Sequence, residues 1–386
     1  MDKPQDPDLL AGELNALAAG PARVPRFGTE TARLEAWLAV LGPNRASDLL
    51  LVAGAPPCIR VDSQIRALSE DDGPLDGLDI EEAVLPALPP HARRRYDEAH
   101  ITDASLKLPG LGRFRVNLHR ERGRAAATIR ALPTAVPRLD SLNLPAGVEL
   151  LSRIPHGLVL VGGPTGSGKT TTLAALVDEI NRRDRRHILT IEDPIEYEHV
   201  HLRSLVEQVE IGVDAPDFPT ALRAAVRQAP DVIVVGEMRD PETMRIALAA
   251  AEIGHLVLST VHTTDVTSAV SRIADGFPPE RQNTVRQELA MGLSAVLTQA
   301  LVPRVGGGRV PAAELLVLGY GARQHIRKNA LQHLHQEITI TRKAGSFTLE
   351  ESLVALVRNG WIERNEAMLR AGHLQELESA LAAAGL

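Results

Sequence analysis

Two hydrophobic rhythms divide the chain. Up to about residue 133, short apolar runs at 49–52, 59–61, 106–108, 114–118 and 127–132 alternate with the turn signals GAPP, LPGLG and ERGR, which predicts a small α+β domain over residues 31–133. Beyond residue 145 the rhythm changes. The continuous apolar runs 158–161, 188–191, 232–235 and 256–258 predict strands buried on both faces of a parallel sheet. Between them, Leu173, Leu176, Val177 and Ile180 fall at i, i+3, i+4 and i+7 on one helical face. PETMRIALAAAEIG opens with Pro241 and closes with Gly254, the start and stop of another helix. Strand alternating with helix is the pattern of an α/β nucleotide-binding core, here spanning 146–386, and its character turns helical from about residue 315. The proline-rich stretch 134–145 reads as a linker, and residues 1–30, rich in Pro, Gly and Asp, as an extension without chemistry.

At 386 residues, with 44% hydrophobic and 24% charged positions, the chain can bury a large core, and a disordered or collagen-like protein is excluded. The net charge of −7 argues against nucleic acid or an anionic membrane as a whole-surface partner while leaving room for a local basic patch, and 3% aromatic content gives no obvious stacking platform, so nucleic acid is not an expected partner. The lone Cys58 allows neither an internal disulfide nor a cysteine-rich zinc site, the N-terminus lacks signal-peptide features, and no apolar run reaches the roughly 18 residues that span a bilayer. A reduced, cytoplasmic compartment is the expectation. Arginines outnumber lysines 37 to 5, so each lysine stands out.

One of those lysines lies in GPTGSGKT, 163–170, directly after a predicted strand and before a predicted helix, which fits G-x-x-x-x-G-K-[ST]. Gly163, Gly166 and Gly168 let the backbone wrap an anion, Lys169 reaches the β- and γ-phosphates, and the Thr170 hydroxyl meets Mg²⁺. ATP with Mg²⁺ is the implied ligand, with Pro164, Thr165, Ser167 and Thr171 completing the nucleotide-contacting set. A second acidic strand end follows in DVIVVGEMRD, where Glu237 is placed to hold the metal shell or polarise water. ILTIEDPIE brings Glu192, Asp193 and Glu196 within five residues, a crowding of charge that favours a functional role. In GHLVLSTVHTTD, His262 sits at a further strand end and reads as a γ-phosphate sensor.

These four segments, in this order and spacing, resemble the Walker A, Asp box, Walker B and His box of the secretion and type IV pilus ATPase superfamily. SDLLLVAGAPPCIRVD, 47–62, and GRFRVNLHRERG, 112–123, are similar to the PAS-like N-terminal domain of its pilus retraction branch. The resemblance implies a RecA-like P-loop ATPase core with a smaller α+β PAS-like N-terminal domain and C-terminal helices, assembled as a hexameric ring at the cytoplasmic face of the inner membrane. It implies an inner-membrane pilus platform protein and a second retraction ATPase as partners. It casts Glu196 as general base, Glu237 as the Walker B glutamate, and Arg115 and Arg130 as arginines that meet ATP phosphates when the N-domain closes. The AIRNLI motif of the retraction branch is replaced here by GARQHI, 321–326, which keeps Arg323 and Ile326.

The alternatives are an assembly or type II secretion ATPase of the same superfamily, whose four-cysteine metal element one cysteine cannot build, and a non-catalytic subunit of a mixed ring, which intact Lys169, Glu196, Glu237, Arg115 and Arg130 argue against. The basic run at 182–186 follows a helix, where cations complement the dipole, and reads as solvated. His199 with His201, and His333 with His335, have metal-like spacing but no further ligand nearby in sequence, and read as surface histidines.

Overall fold

The computed structural model describes residues 31–62, 64–69 and 73–386; the extension expected over 1–30 lies outside them. The described residues form two compact units that divide near Val136, with one exchange: Pro194–Glu198 packs with the first unit.

The first unit is an antiparallel sheet of β1 (Asp48–Val52), β2 (Cys58–Val61), β3 (Gln64–Ala67), β4 (Ile101–Leu108), β5 (Gly112–Glu121) and β6 (Arg124–Ala131), ordered β3-β2-β1-β6-β5-β4. Alternation sorts its faces, since successive side chains of a strand point oppositely. Leu49, Leu51, Phe114, Val116, Leu118 and Ile129 pack into one core with Trp37, Ile80, Val84 and Tyr96 from the helices Ala32–Ala39, Gly77–Val84 and Pro90–Ala99. The opposite face carries a polar row in which Arg60, Asp48, Arg130 and Arg115 are successive cross-strand partners. Strand β3 is exposed at all four positions, so it has no apolar run by which to be predicted.

The second unit holds β7 (Gly157–Gly162), β8 (His187–Glu192), β9 (Leu205–Glu210), β10 (Val232–Val235), β11 (Leu256–Val261), β12 (Leu293–Pro303) and β13 (Arg309–Val317), ordered β13-β12-β7-β11-β10-β8-β9. All neighbours are parallel except β13, which runs antiparallel to β12. The continuous apolar runs are buried on both sides: Leu158 and Leu160 of β7 join one core, Val159 and Val161 the other. On the second side Leu173, Leu176, Val177 and Ile180 of the helix Lys169–Arg183 form the face that their spacing predicts. The expected helical character from residue 315 begins slightly later, because β13 extends to Val317 and the first following helix is Tyr320–Arg327. The last helices, Leu349–Arg358, Arg364–Arg370 and Leu374–Ala383, close a smaller core over Val302, Val310 and Ala312. Among the described residues no helix is long and apolar enough to cross a membrane.

Candidate active site

Strand β7 is buried at all six positions and delivers the chain to the loop 163–168 in the middle of the parallel sheet. Gly163 has φ +148°, and a Cβ there would lie 2.3 Å from Ser167 Oγ and 2.4 Å from the Gln299 carbonyl, so the position admits glycine alone. Gly168 takes the left-handed conformation at φ +89° and opens the helix Lys169–Arg183 without any side-chain cap. The first-turn amides of a helix have no intrahelical acceptors and carry partial positive charge, which suits an anion. Lys169 is 7% exposed, and its ammonium donates to the carbonyls of Gly163 at 2.8 Å and Pro164 at 2.9 Å. Pro164, Thr165 and Gly166 form the exposed rim, Ser167 is buried with its Oγ unpartnered among the described residues, and Thr170 and Thr171 are half-buried.

Gln299, on β12, was not legible as a site residue. Its Nε2 donates to the Ser167 carbonyl at 2.7 Å and its Oε1 accepts from Thr172 Oγ1 at 2.9 Å, clamping the loop to the first helical turn from the neighbouring strand. The available signal is the polar pair Thr298–Gln299 between the apolar runs AVL and ALV of β12, both side chains buried.

Register brings the other groups to the same edge. Gly162 of β7 pairs with Val261 of β11, and Val235 of β10 pairs with Ser259 of β11, so the residues following each strand emerge side by side. Thr260 Oγ1 donates to the Gly236 carbonyl at 2.6 Å and fixes that exit. Glu237, 16% exposed in its side chain, accepts from Arg239 Nε at 2.7 Å and lies 3.9 Å from His262 Nε2. Burial and then the Lys169 ammonium hold His262 below the ordinary histidine range, so the ring is neutral at pH 7. Beside them Gly236 N–H donates to the Ile191 carbonyl, and Glu192 Oε1 accepts from Thr190 Oγ1 at 2.7 Å and Gln208 Nε2 at 3.2 Å.

Lys169, Thr170, Glu237 and His262 therefore share one sheet edge in the second unit, whereas Glu196, Arg115 and Arg130 belong to the first. There Arg115 and Arg130 are direct cross-strand partners on β5 and β6. Like charges placed opposite each other repel, and one acid relieves this only in part: Asp48, 3% exposed, accepts from Arg130 Nε at 2.8 Å and lies 3.5 Å from Arg60. Among the described residues Arg115 has only the exposed Asp103, at 3.8 Å. Two adjacent guanidinium groups on an open sheet face form a natural seat for an anion. Glu196 is half-buried in a segment whose Glu198 meets Lys107 at 2.8 Å and Arg113 at 3.4 Å.

The discounted signals resolve physically. In the basic run Arg182 pairs with Asp178 at 2.7 Å, while Arg183 pairs with Asp184 and donates to Ser152. His199 and His201 are half-buried rather than surface residues, because the 199–206 turn folds back so that the Val206 N–H donates to His201 Nδ1. In GARQHI, a Cβ on Gly321 would meet the Glu337 carboxylate at 2.3 Å, and the same carboxylate lies 3.5 Å from His325, so two of the departures share one partner. Arg323 donates to the Ala290 and Met291 carbonyls at the end of the helix Pro279–Gly292.

The family model described as Type II/IV secretion system protein matches residues 139–336. The type IV pilus retractation ATPase PilT of Pseudomonas aeruginosa is 41% identical over 334 residues, 86% of this chain and 96% of that protein. The twitching motility protein of Neisseria gonorrhoeae is 39% identical over 327 residues, 84% of this chain and 87% of that one. The crystal structure of the pilus retraction motor PilT with bound ADP matches at a TM-score of 0.81 and 41% identity, covering 89% of this chain and 98% of that one.

Proposed function

The chain belongs to the type II/IV secretion system protein family, and from that membership we propose that it is a hexameric motor that hydrolyses ATP to retract a type IV pilus. The observation that carries the catalytic part is the convergence of the glycine-forced loop at 163–168, Lys169, Glu237 and His262 on one edge of the parallel sheet. The near-complete coverage of retraction relatives supports the direction of work.

The loop amides and Lys169 bind the phosphates, and Lys169 exchanges the Gly163 and Pro164 carbonyls for phosphate oxygens. The hard oxygen donors Thr170 and Glu237 at this edge fit Mg²⁺, which supplies neutralisation of the phosphate charge when bound with the nucleotide. Neutral His262 donates a hydrogen bond toward the γ-phosphate. Glu196 accepts the proton of the water that attacks the γ-phosphorus, and ADP leaves as the bond to its β-phosphate oxygen breaks. Arg115 and Arg130 arrive with the first unit and offset the transition-state charge, a role worth about 10³ to 10⁵ in rate when an arginine supplies it. Hydrolysis is thereby tied to movement of the first unit, and that movement acts on an inner-membrane platform protein at the cytoplasmic face, in company with a second retraction ATPase.

Deleting the gene and counting surface pili tests the reading. Excess pili support retraction; their loss assigns the motor to assembly.

A further inference from the structure

His335 lies on the short helix Leu334–Ile340, and the other members of its neighbourhood come from far along the chain. Its Nε2 is 2.9 Å from Glu376 Oε2, and its ring stacks on His373 with centroids 3.8 Å apart and planes at 27°. His373 and Glu376 are three residues apart at the start of the helix Leu374–Ala383, a spacing that puts both on one side of the first turn. Glu350, on the helix Leu349–Arg358, approaches from the third direction: its Oε1 accepts the His373 backbone N–H at 2.8 Å and lies 3.7 Å from His373 Nδ1. One donor atom from each of the four residues lies within 4.8 Å of all the others.

We propose that His335, Glu350, His373 and Glu376 bind a divalent transition-metal cation, with Zn²⁺ the preferred occupant, that fastens the last helices to the ATPase core. Two imidazoles and two carboxylates form a neutral set around a divalent ion, and imidazole ligation selects Zn²⁺ over Mg²⁺ or Ca²⁺, which take oxygen donors. Tetrahedral ligands at zinc distances stand about 3.4 Å apart, so the donors close up by little more than 1 Å through side-chain rotation. The backing is in place: His335 Nδ1 faces Glu314 Oε1 of β13 at 3.9 Å while Nε2 faces the cluster, the carboxylate–histidine arrangement that orients metal-ligating rings. The charge balance also calls for a cation. Glu314, Glu350 and Glu376 surround two stacked imidazoles, and among the described residues no Lys or Arg lies within 4 Å of these carboxylates. The Glu350 side chain is only 3% exposed, and a buried carboxylate needs a close cation.

The test uses the full-length protein, stripped with EDTA and titrated with ZnCl₂ in the absence of nucleotide, reading bound zinc by equilibrium dialysis and Tm by scanning fluorimetry. Wild type is expected to bind one Zn²⁺ per chain and gain about 5 °C in Tm at saturating metal. His373→Ala and Glu376→Gln alter half-exposed side chains, so both variants should fold with the Tm of the stripped wild type. Each should lose that one equivalent and the Tm response. Absence of zinc binding by wild type, unchanged stoichiometry and response in both variants, or an equal response to Mg²⁺ would each overturn the proposal.

Discussion

Replacing Gln299 by leucine keeps the shape of a β12 core position but removes the two hydrogen bonds that clamp the phosphate loop. The two bereaved partners are not equivalent. Thr172 Oγ1 can turn back to the Gly168 carbonyl one helical turn earlier, a common local bond for a helical threonine. The Ser167 carbonyl has no such escape, and Ser167 is 3% exposed. An orphaned buried acceptor costs about 1–3 kcal/mol, and with a smaller loss at Thr172 the variant pays about 2 kcal/mol. Because one bond ends on the loop and the other on the first turn of the helix that follows it, the loop relaxes before the sheet does, and the cost falls on the conformation that receives phosphate. At about 1.4 kcal/mol per factor of ten, nucleotide affinity should fall roughly 30-fold. Titration with a fluorescent ADP analogue measures this directly, and thermal unfolding without nucleotide should show only a small loss. Adding Thr172→Val should recover part of the affinity, since it removes the second orphan. Wild-type affinity and turnover in a folded Gln299→Leu protein would refute the clamp.

Lys169→Ala should abolish turnover in a steady-state ATPase assay while preserving the fold, since no other lysine lies between Lys107 and Lys328 to take its place. Glu237→Gln should leave ATP binding near wild type and cut kcat steeply, whereas parallel losses in Kd and kcat would assign Glu237 to holding the metal instead. Arg115→Ala should lower kcat with little change in Tm or ATP affinity, but Arg130→Ala should also lower Tm, because it takes the closest cation from the buried Asp48 carboxylate and leaves it the Ser47 hydroxyl at 2.7 Å and Arg60 at 3.5 Å. His199 has its pKa pushed by burial down to about 4, so the unfolded chain takes up a proton first as pH falls. The stability tied to its neutral ring is complete above about pH 6.5 and is lost as pH falls through about 4. The loss is on the order of 2 kcal/mol for a half-buried ring, and His199→Leu should flatten the urea-unfolding free energy across that window.

Whatever is local along the chain can be read from its order of residues. A run of apolar residues on both faces, three glycines, one lysine and an amphipathic helix lie within about 25 residues, so β7, the loop and the helix Lys169–Arg183 could be read in order, as could the strand ends carrying Glu237 and His262. Tertiary structure alone decided which strands lie side by side and what meets across them. β3 has no buried position to betray it, β12 hides a buried polar clamp within an apolar run, and its Gln299 reaches partners 127 and 132 residues away. The same holds for Pro194–Glu198, which carries Glu196 into the first unit, and for His335, whose companions Glu350, His373 and Glu376 arrive on two later helices. Side-chain periodicity is written into neighbouring residues by backbone geometry, whereas strand order and helix docking depend on burial summed over the whole chain, and no short window of sequence contains that sum.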